Sequence, residues 1–478
     1  MNAKKKKVLF ILGSGAVAVV LAVFVFALTF DINAYRPRIE TAASRATGLE
    51  VRIRGKMRLS FFPFGVSARD LHVANKEREI ISVENLNLGM ELMPLLNKQL
   101  KVTSCELDNP AVTIVKDDKG RYNFEGTEKK SSEGKTGAAF SLKELKLTKG
   151  AIVYLDQKTG EKTELTEINL LAKDISATDT SGAGIKGISF NGNLFCKEIR
   201  KKDLRIENVK SAVKAEKGVI SLTSLTMDIF GAKAEGDATV DRSEPDAVYK
   251  IKLKISKLDF EKLVGAFGTK KVLGGKGDLY ASLTMKEKGR RNLISGMDGS
   301  FSLQGDNLVI YTMDLDKALS SFETSQKFNL VDLGAFFIAG PLSTAALKGY
   351  RYGDVYNQTR GGQGVITKFV SHWKVRAGVA EASDCAFTTR HNRVALRGKL
   401  NLVNERYDNV IVALLNDKGC AKFKQSISGP FSSPKVGAVS AAESLAGPIL
   451  DLFRKAKRFI QGGKCEVFYN GAVQQPHE

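Results

Sequence analysis

One apolar run, Val8 to Phe30, constrains this chain more than any other stretch. It follows Lys4-Lys5-Lys6-Lys7, carries no charged side chain and stops at Asp31. As a helix rising ~1.5 Å per residue it reaches about 34 Å, enough to cross a hydrocarbon layer of ~30 Å. A secretory signal competes for the same residues. Its apolar core is normally about 7–15 residues and ends in a small-x-small site. Ala27-Leu28-Thr29-Phe30 offers no such exit, so the run reads as an uncleaved signal anchor. The lysines orient it, with residues 1–7 as a basic cytoplasmic tail and the chain after Asp31 on the far side.

The body after the anchor opens with a helix and then changes period. Tyr35, Ile39, Ala42 and Ala46 stand at near-helical spacing, and Gly48 is a ready C-cap, so a membrane-proximal helix is expected over Asn33–Thr47, with Pro37 near its start. From Leu49 the odd positions Val51, Ile53, Met57, Leu59 and Phe61 are apolar, while Arg52, Arg54, Lys56 and Arg58 are charged. That alternation is a strand with one dry and one wet face.

The signature recurs downstream. Tyr249, Ile251, Leu253 and Ile255 alternate with Lys250, Lys252 and Lys254. Val394, Leu396, Leu400 and Leu402 alternate with Ala395, Arg397, Lys399 and Asn401. A looser repeat, in which glycine opens an alternating run, begins at Gly192, Gly236, Gly277, Gly299 and Gly398. Turns are expected at Asp117-Asp118-Lys119-Gly120 and Asp156-Gln157-Lys158-Thr159-Gly160. Together these predict many antiparallel strands joined by short turns. Apolar faces of that kind are buried as a sandwich, as a barrel, or along a trough whose occupant is apolar. Periodicity does not choose among the three.

Other stretches break the pattern. Residues 128–137 carry no apolar side chain and read as an exposed polar loop. Leu315, Ala318 and Leu319 suggest a short helix, and 330–338 another. In 441–460, Leu445, Ile449, Leu452, Phe453, Ala456, Phe459 and Ile460 form an apolar stripe beside Arg454, Lys455, Lys457 and Arg458. This stripe suits a membrane-surface helix or a cap over the end of the sheet. The organisation expected is therefore anchor 8–30, β regions over 31–127, 138–290 and 291–440, and a helix with a tail over 441–478.

Net charge is +21. The basic residues are dispersed and the body is expected outside the cytoplasm, so nucleic acid is not an expected partner. The excess fits a solvated surface or a body working beside anionic headgroups. Cysteines stand at 105, 196, 385, 420 and 465 without a CxxC pair, which excludes thioredoxin-like and zinc-knuckle readings. Cys420 with Cys465 is a candidate clip for the C-terminal segment. His72, His372, His391 and His477 form no HExxH, and neither GxSxG nor a Walker-type loop occurs. Asp384 beside Cys385 lacks a histidine base. No catalytic residue, metal or cofactor is expected, and the chain does not read as an enzyme.

Several ordered words resemble the AsmA family. They run from Asp31-Ile32-Asn33-Ala34-Tyr35-Arg36-Pro37 through Gly55-Lys56-Met57-Arg58-Leu59-Ser60-Phe61-Phe62-Pro63 and Leu107-Asp108-Asn109-Pro110 to Gly120-Arg121-Tyr122-Asn123-Phe124. Later ones are Met297-Asp298-Gly299-Ser300-Phe301-Ser302-Leu303, Leu396-Arg397-Gly398-Lys399-Leu400-Asn401-Leu402 and Ile427-Ser428-Gly429-Pro430-Phe431. The resemblance implies a single-pass inner-membrane protein of Gram-negative-type bacteria with a periplasmic body, linked to outer-membrane biogenesis and to bridge-like lipid carriers. The fold it implies is mainly β: a long curved antiparallel sheet forming an apolar groove, with a few short helices. Phospholipids and the inner membrane are then the expected partners. A periplasmic or outer-membrane protein partner belongs to the alternative, a scaffold or regulator acting through protein contacts. Groove candidates are the dry-face residues named above, with Phe61 to Phe64 either the membrane-proximal mouth or a plain hydrophobic turn.

Overall fold

The computed structural model describes residues 31–61, 64–75, 78–91, 94, 101–124, 140–177, 184–266, 273–287, 293–311, 314–319, 330, 362–441 and 465–476. The anchor expected over Val8–Phe30, the polar loop 128–137 and all but the first residue of each helix expected over 330–338 and 441–460 lie outside them; Ala441 itself ends a short strand, Ser440–Ala441, not a helix. Among the described residues no helix is long and apolar enough to cross a membrane. The fold is mainly β, a long mixed sheet with few helices. It divides into two compact units, Met1–Ile199 and Arg200–Glu478.

The first unit opens with a 3-10 turn, Ile32–Tyr35, capped by Asp31, whose side chain accepts the Asn33 N–H at 2.9 Å. Helix α1, Arg36–Thr47, follows with Pro37 in its first turn, where no N–H is missed. Gly48 closes it at φ 71°, its N–H donating to Ser44 O. The strands are β1 (Glu50–Ile53), β2 (Met57–Phe61), β3 (Phe64–Asn75), β4 (Arg78–Met90), β5 (Val102–Asp108), β6 (Ala111–Lys116), β7 (Phe140–Asp156), β8 (Glu161–Ala177) and β9 (Ile188–Lys201). β1 and β2 lie end to end along β3, and β3 pairs with β4. β5 and β6 are consecutive halves of one strand position between β4 and β7. The break between them is Asn109, at φ 49°, and Pro110, which has no N–H to give a ladder.

The expectation of a purely antiparallel sheet is corrected here, because β7 runs parallel to both β5 and β6. A parallel neighbour requires a crossover of a dozen or more residues. The segment between Lys116 and Phe140, which contains the charged stretch 128–137, supplies it. β7 and β8 then form a hairpin through the turn at Asp156–Gly160.

In the second unit the strands are β10 (Leu204–Glu216), β11 (Val219–Ile229), β12 (Ala232–Asp241), β13 (Val248–Asp259), β14 (Leu273–Gly274), β15 (Lys276–Lys286), β16 (Met297–Ile310), β17 (Gly364–Arg376), β18 (Val379–Thr388), β19 (Arg393–Asn401), β20 (Arg406–Leu415), β21 (Ala421–Pro430), β22 (Lys435–Val436) and β23 (Ser440–Ala441). From β10 to β13 and from β15 to β21 each pairs antiparallel with the next, β13 pairs with β15, and β14, β22 and β23 add to β16 and β21. Helix α2, Phe260–Gly265, was not anticipated. Asp259 caps it by accepting the N–H groups of Glu261 and Lys262, and Phe260 and Leu263 are buried beneath it. Residues 315–319 are helical, with Leu315 and Leu319 fully buried.

The glycine-led repeat has a physical origin. In β11 and β13 the register slips by one residue, and Ser224 and Lys257 sit in the left-handed region at φ 52° and 58°. Their N–H groups, turned out of the ladder, donate to Asp237 and Asp278 at 3.2 and 2.8 Å. A charge-assisted bond of this kind offsets the ~1–2 kcal/mol cost of a left-handed non-glycine residue. The glycine before each aspartate lies under a neighbouring carbonyl. A Cβ on Gly236 would stand 2.0 Å from Lys252 O, and one on Gly277 2.2 Å from Gln304 O. Each bulge also switches the parity of the apolar face, from Ile251, Leu253 and Ile255 to Leu258 and Phe260.

Candidate functional site

The first unit begins with a guarded edge. β1 and β2 pair with β3 on one side only, and side chains from the helical segment satisfy the other. Val51 N–H donates to Ser44 Oγ at 2.9 Å, Ile53 N–H to Glu40 Oε1 at 2.6 Å and Met57 N–H to Asn33 Oδ1 at 2.8 Å. Asn33 Nδ2 donates back to Met57 O, and Arg36 to Gly55 O at 2.8 Å. An open strand edge is a template for another chain; these bonds occupy this one.

From that edge the apolar side chains line up in register. One row runs Leu59, Val66, Leu88, Cys105, Leu145 and Ala172, and the next Met57, Ala68, Leu86, Leu107, Leu147 and Leu170. Met57, Ala68 and Ala172 are buried, but the other members are only half-buried. Val51, Ile53 and Met57, at 8%, 5% and 3% exposed, lie nearest the guarded edge, and Ile32 packs against Ile53 and Met57. Phe61 pairs opposite Phe64 across the connection of β2 and β3, and Phe64 is half-buried. Burial raises the Cys105 thiol above its ordinary value.

The early strands of the second unit repeat the arrangement. Tyr249, Ile251 and Leu253 are half-buried while Lys250, Lys252 and Lys254 on the alternate positions are exposed. The row Gly236, Leu253, Ala281, Phe301 crosses β12, β13, β15 and β16 and ends on Trp373. Because two of its members are Gly and Ala, space is left over them. A cavity of 350 Å³ is lined by Gly236, Leu253, Ala281 and Phe301 and the residues flanking them, within the ~300–1,000 Å³ range of ligand sites. Phe301 stacks on Trp373, with ring centres 6.3 Å apart.

Beyond that wall the apolar face is closed. Ile255, Val394, Leu396, Leu400 and Leu402 are all buried within one cluster with Trp373, Phe369, Phe387, Val412 and Leu414. Trp373 Nε1 donates to Ser371 Oγ at 2.8 Å, so even the polar atoms are satisfied internally. The candidates therefore split: Val51, Ile53, Met57, Leu59, Tyr249, Ile251 and Leu253 border half-exposed apolar rows, whereas Ile255, Val394, Leu396, Leu400 and Leu402 are packed core.

Near the C-terminus a strap crosses the opposite face of the closed strands. Cys420 and Cys465 form a disulfide with Cα atoms 6.1 Å apart. Tyr469 and Val473 are buried against Ala386, Ala395 and Ala413. Asp384 accepts from Tyr469 Oη at 2.5 Å and from Ala472 N–H at 3.1 Å, and Arg393 donates to Val473 O. Burial and the Asp384 bond push the Tyr469 phenol well above its ordinary range. Asp384 and Cys385 thus serve packing, and burial carries the Cys385 thiol up to about 12.

A comparison with family models returns one described as the AsmA family, over residues 1–194 and 188–332. The chain belongs to the AsmA family. The match runs continuously through the middle of the chain, and it stops before β17. The AsmA-like words at Leu396–Leu402 and Ile427–Phe431 therefore fall outside it, while Met297–Leu303 falls within. No curated protein matches the chain, and no solved structure does. Within this AsmA-family chain, the matched residues carry the half-exposed apolar rows and the first part of the closed core, from Ala234 to Leu330, and the strands past the match carry the rest of that core and the strap.

The rows of the first unit went unread beyond β2. Their signal is a recurring apolar-x-x-apolar step, Ala68-Arg69-Asp70-Leu71 and Val83-Glu84-Asn85-Leu86, which switches the parity of the apolar face in both strands at once, with their register unshifted and Asp70 at φ 55°.

Proposed function

We propose that this AsmA-family chain is a membrane-anchored periplasmic protein that handles phospholipid and so supports outer-membrane biogenesis, holding acyl chains against its half-exposed apolar rows. The observation that carries the reading is the pair of unbroken rows beginning at Met57 and Leu59. Water-exposed apolar surface of this extent gains about 0.8 kcal/mol for every lipid CH₂ it covers. The anchor is read in Val8–Phe30 and the lysines before it, and the inner membrane as its seat is what the family resemblance implies. No catalytic step enters the proposal. The scaffold alternative needs an available strand edge, and the bonds from Asn33, Arg36, Glu40 and Ser44 withdraw the first edge from that use.

Photo-crosslinkers placed at Leu59, Leu253 and Leu400 in the full chain test the reading. Lipid captured at Leu59 and Leu253, and none at the fully buried Leu400, is the expected outcome. Capture of protein in place of lipid at Leu59 and Leu253 supports the scaffold, and no lipid at any position overturns the proposal.

A further inference from the structure

The wet face of the same strands carries a second cavity, of 440 Å³, across β2, β3, β4, β5 and β7. Lys56, Arg58 and Arg69 line it together with Ser67 and Asn87. Of its two acidic members Glu106 pairs with Lys146 at 2.5 Å, and Asp108 accepts from the neutral Asn85 amide at 3.4 Å and keeps its charge, so the four cations and two carboxylates of the lining leave a net charge of +2. Among the described residues Lys56, Arg58 and Arg69 make no ion pair, and all three are exposed. Three like charges on adjacent strands repel one another and destabilise the free protein. A facing anion removes that cost.

The position of the cavity supplies the occupant. Residues 55–57 are tied to the start of the helical segment, Gly55 O by Arg36 at 2.8 Å and the Met57 backbone by Asn33 at 2.8 and 3.1 Å. Asn33 stands three residues after Phe30, the last residue of the apolar run. A chain anchored through Val8–Phe30 therefore holds Lys56 and Arg58 beside the bilayer surface. The geometry points to a headgroup-docking surface: Lys56, Arg58 and Arg69 seat the polar face of the first strands on anionic phospholipid headgroups, leaving the apolar rows on the opposite face free for acyl chains. Clusters of this sign near a membrane act within a Debye length of it. The inference rests on the anchored reading of the chain, and it concerns the face opposite the one proposed to hold lipid tails.

Acetylation footprinting of Lys56 in the full-length protein, held in nanodiscs of phosphatidylcholine with or without phosphatidylglycerol, tests it, with exposed Lys252 as internal reference. Phosphatidylglycerol is expected to slow labelling of Lys56 and leave Lys252 unchanged. In the R58Q and R69Q variants each lost charge weakens that protection about fivefold, while lipid capture at Leu59 persists. Labelling of Lys56 indifferent to phosphatidylglycerol overturns the docking surface. Equal protection by inorganic phosphate in pure phosphatidylcholine discs also overturns it, in favour of a soluble phosphate ligand. Release of the chain from its membrane by alkaline carbonate overturns the anchor and this inference together. A retained chain with no phosphatidylglycerol effect overturns the surface alone.

Discussion

The first unit and the end of the second unit solve the same problem in opposite ways. Both consist of alternating strands with one apolar face. In β1 to β8 the face stays half-exposed, with rows such as Leu59, Val66, Leu88, Cys105 and Leu145 covered only in part. In β16 to β21 it closes around Trp373, Phe369, Phe387 and Leu400, and the opposite face is covered in turn by the strap of Tyr469 and Val473. The difference teaches that period-two patterning specifies a dry face without specifying what dries it. Large side chains fill the closed region, whereas Gly236 and Ala281 leave an open cavity where the closed region begins.

The sharpest way to break this comparison is to truncate one residue on each side of it. Phe387→Ala is expected to cost the closed region about 3–5 kcal/mol, and Leu253→Ala under about 1.5 kcal/mol, because a half-exposed side chain loses little burial. Denaturant titration followed by fluorescence reads this directly, since the chain's single tryptophan, Trp373, sits inside the closed cluster. Equal losses would mean that the two faces are equally packed.

The disulfide offers the next largest effect. Cys420 and Cys465 are separated by 45 residues, and closing such a loop restricts the unfolded chain by about 2–4 kcal/mol. Cys420→Ser with Cys465→Ser should lower the Trp373 transition accordingly, while maleimide labelling of half-buried Cys105 keeps its rate. A change at Cys105 would show that the strap supports the first unit as well.

Alkaline pH provides a third contrast. Tyr407, packed edge-on against Phe431 at 4.8 Å, is buried, and burial raises its phenol to about 12. The folded state thus holds a proton that the unfolded state releases near pH 10. Its contribution is complete below pH 10 and is lost as pH rises toward 12, by about 2–3 kcal/mol. Tyr407→Phe should flatten that part of the stability profile of the closed region. An unchanged profile would place the phenol in contact with water.

The smallest effect sharpens the comparison at the guarded edge. Glu40→Ala removes the acceptor of the Ile53 N–H and should cost about 1 kcal/mol. Amide exchange at Ile53 is expected to quicken while exchange in β19 is unaffected.

Much of this arrangement is legible in the residues. The alternation of Val51 to Leu59 and of Tyr249 to Ile255 placed the wet and dry faces correctly, with Lys250, Lys252 and Lys254 exposed. Gly48 and Pro37 marked the ends of α1. The parallel placement of β7 was not legible, because strand order depends on where the crossover over 117–139 returns, and a polar loop carries no address. Helix α2 was missed for a related reason. Its Asp259 cap and its two buried residues, Phe260 and Leu263, are too short a signal to stand out from a strand end.

The sequence by itself determined that this chain has apolar-faced strands, where their turns fall, and which family it joins. Only the tertiary structure decided that Leu59 borders an open row while Leu400 is core. Alternation is a local property of the backbone pleat, set by each side chain's position in its own strand. Coverage depends on which distant strands, bulges and straps reach that side chain, and those contacts are made between residues far apart in the chain.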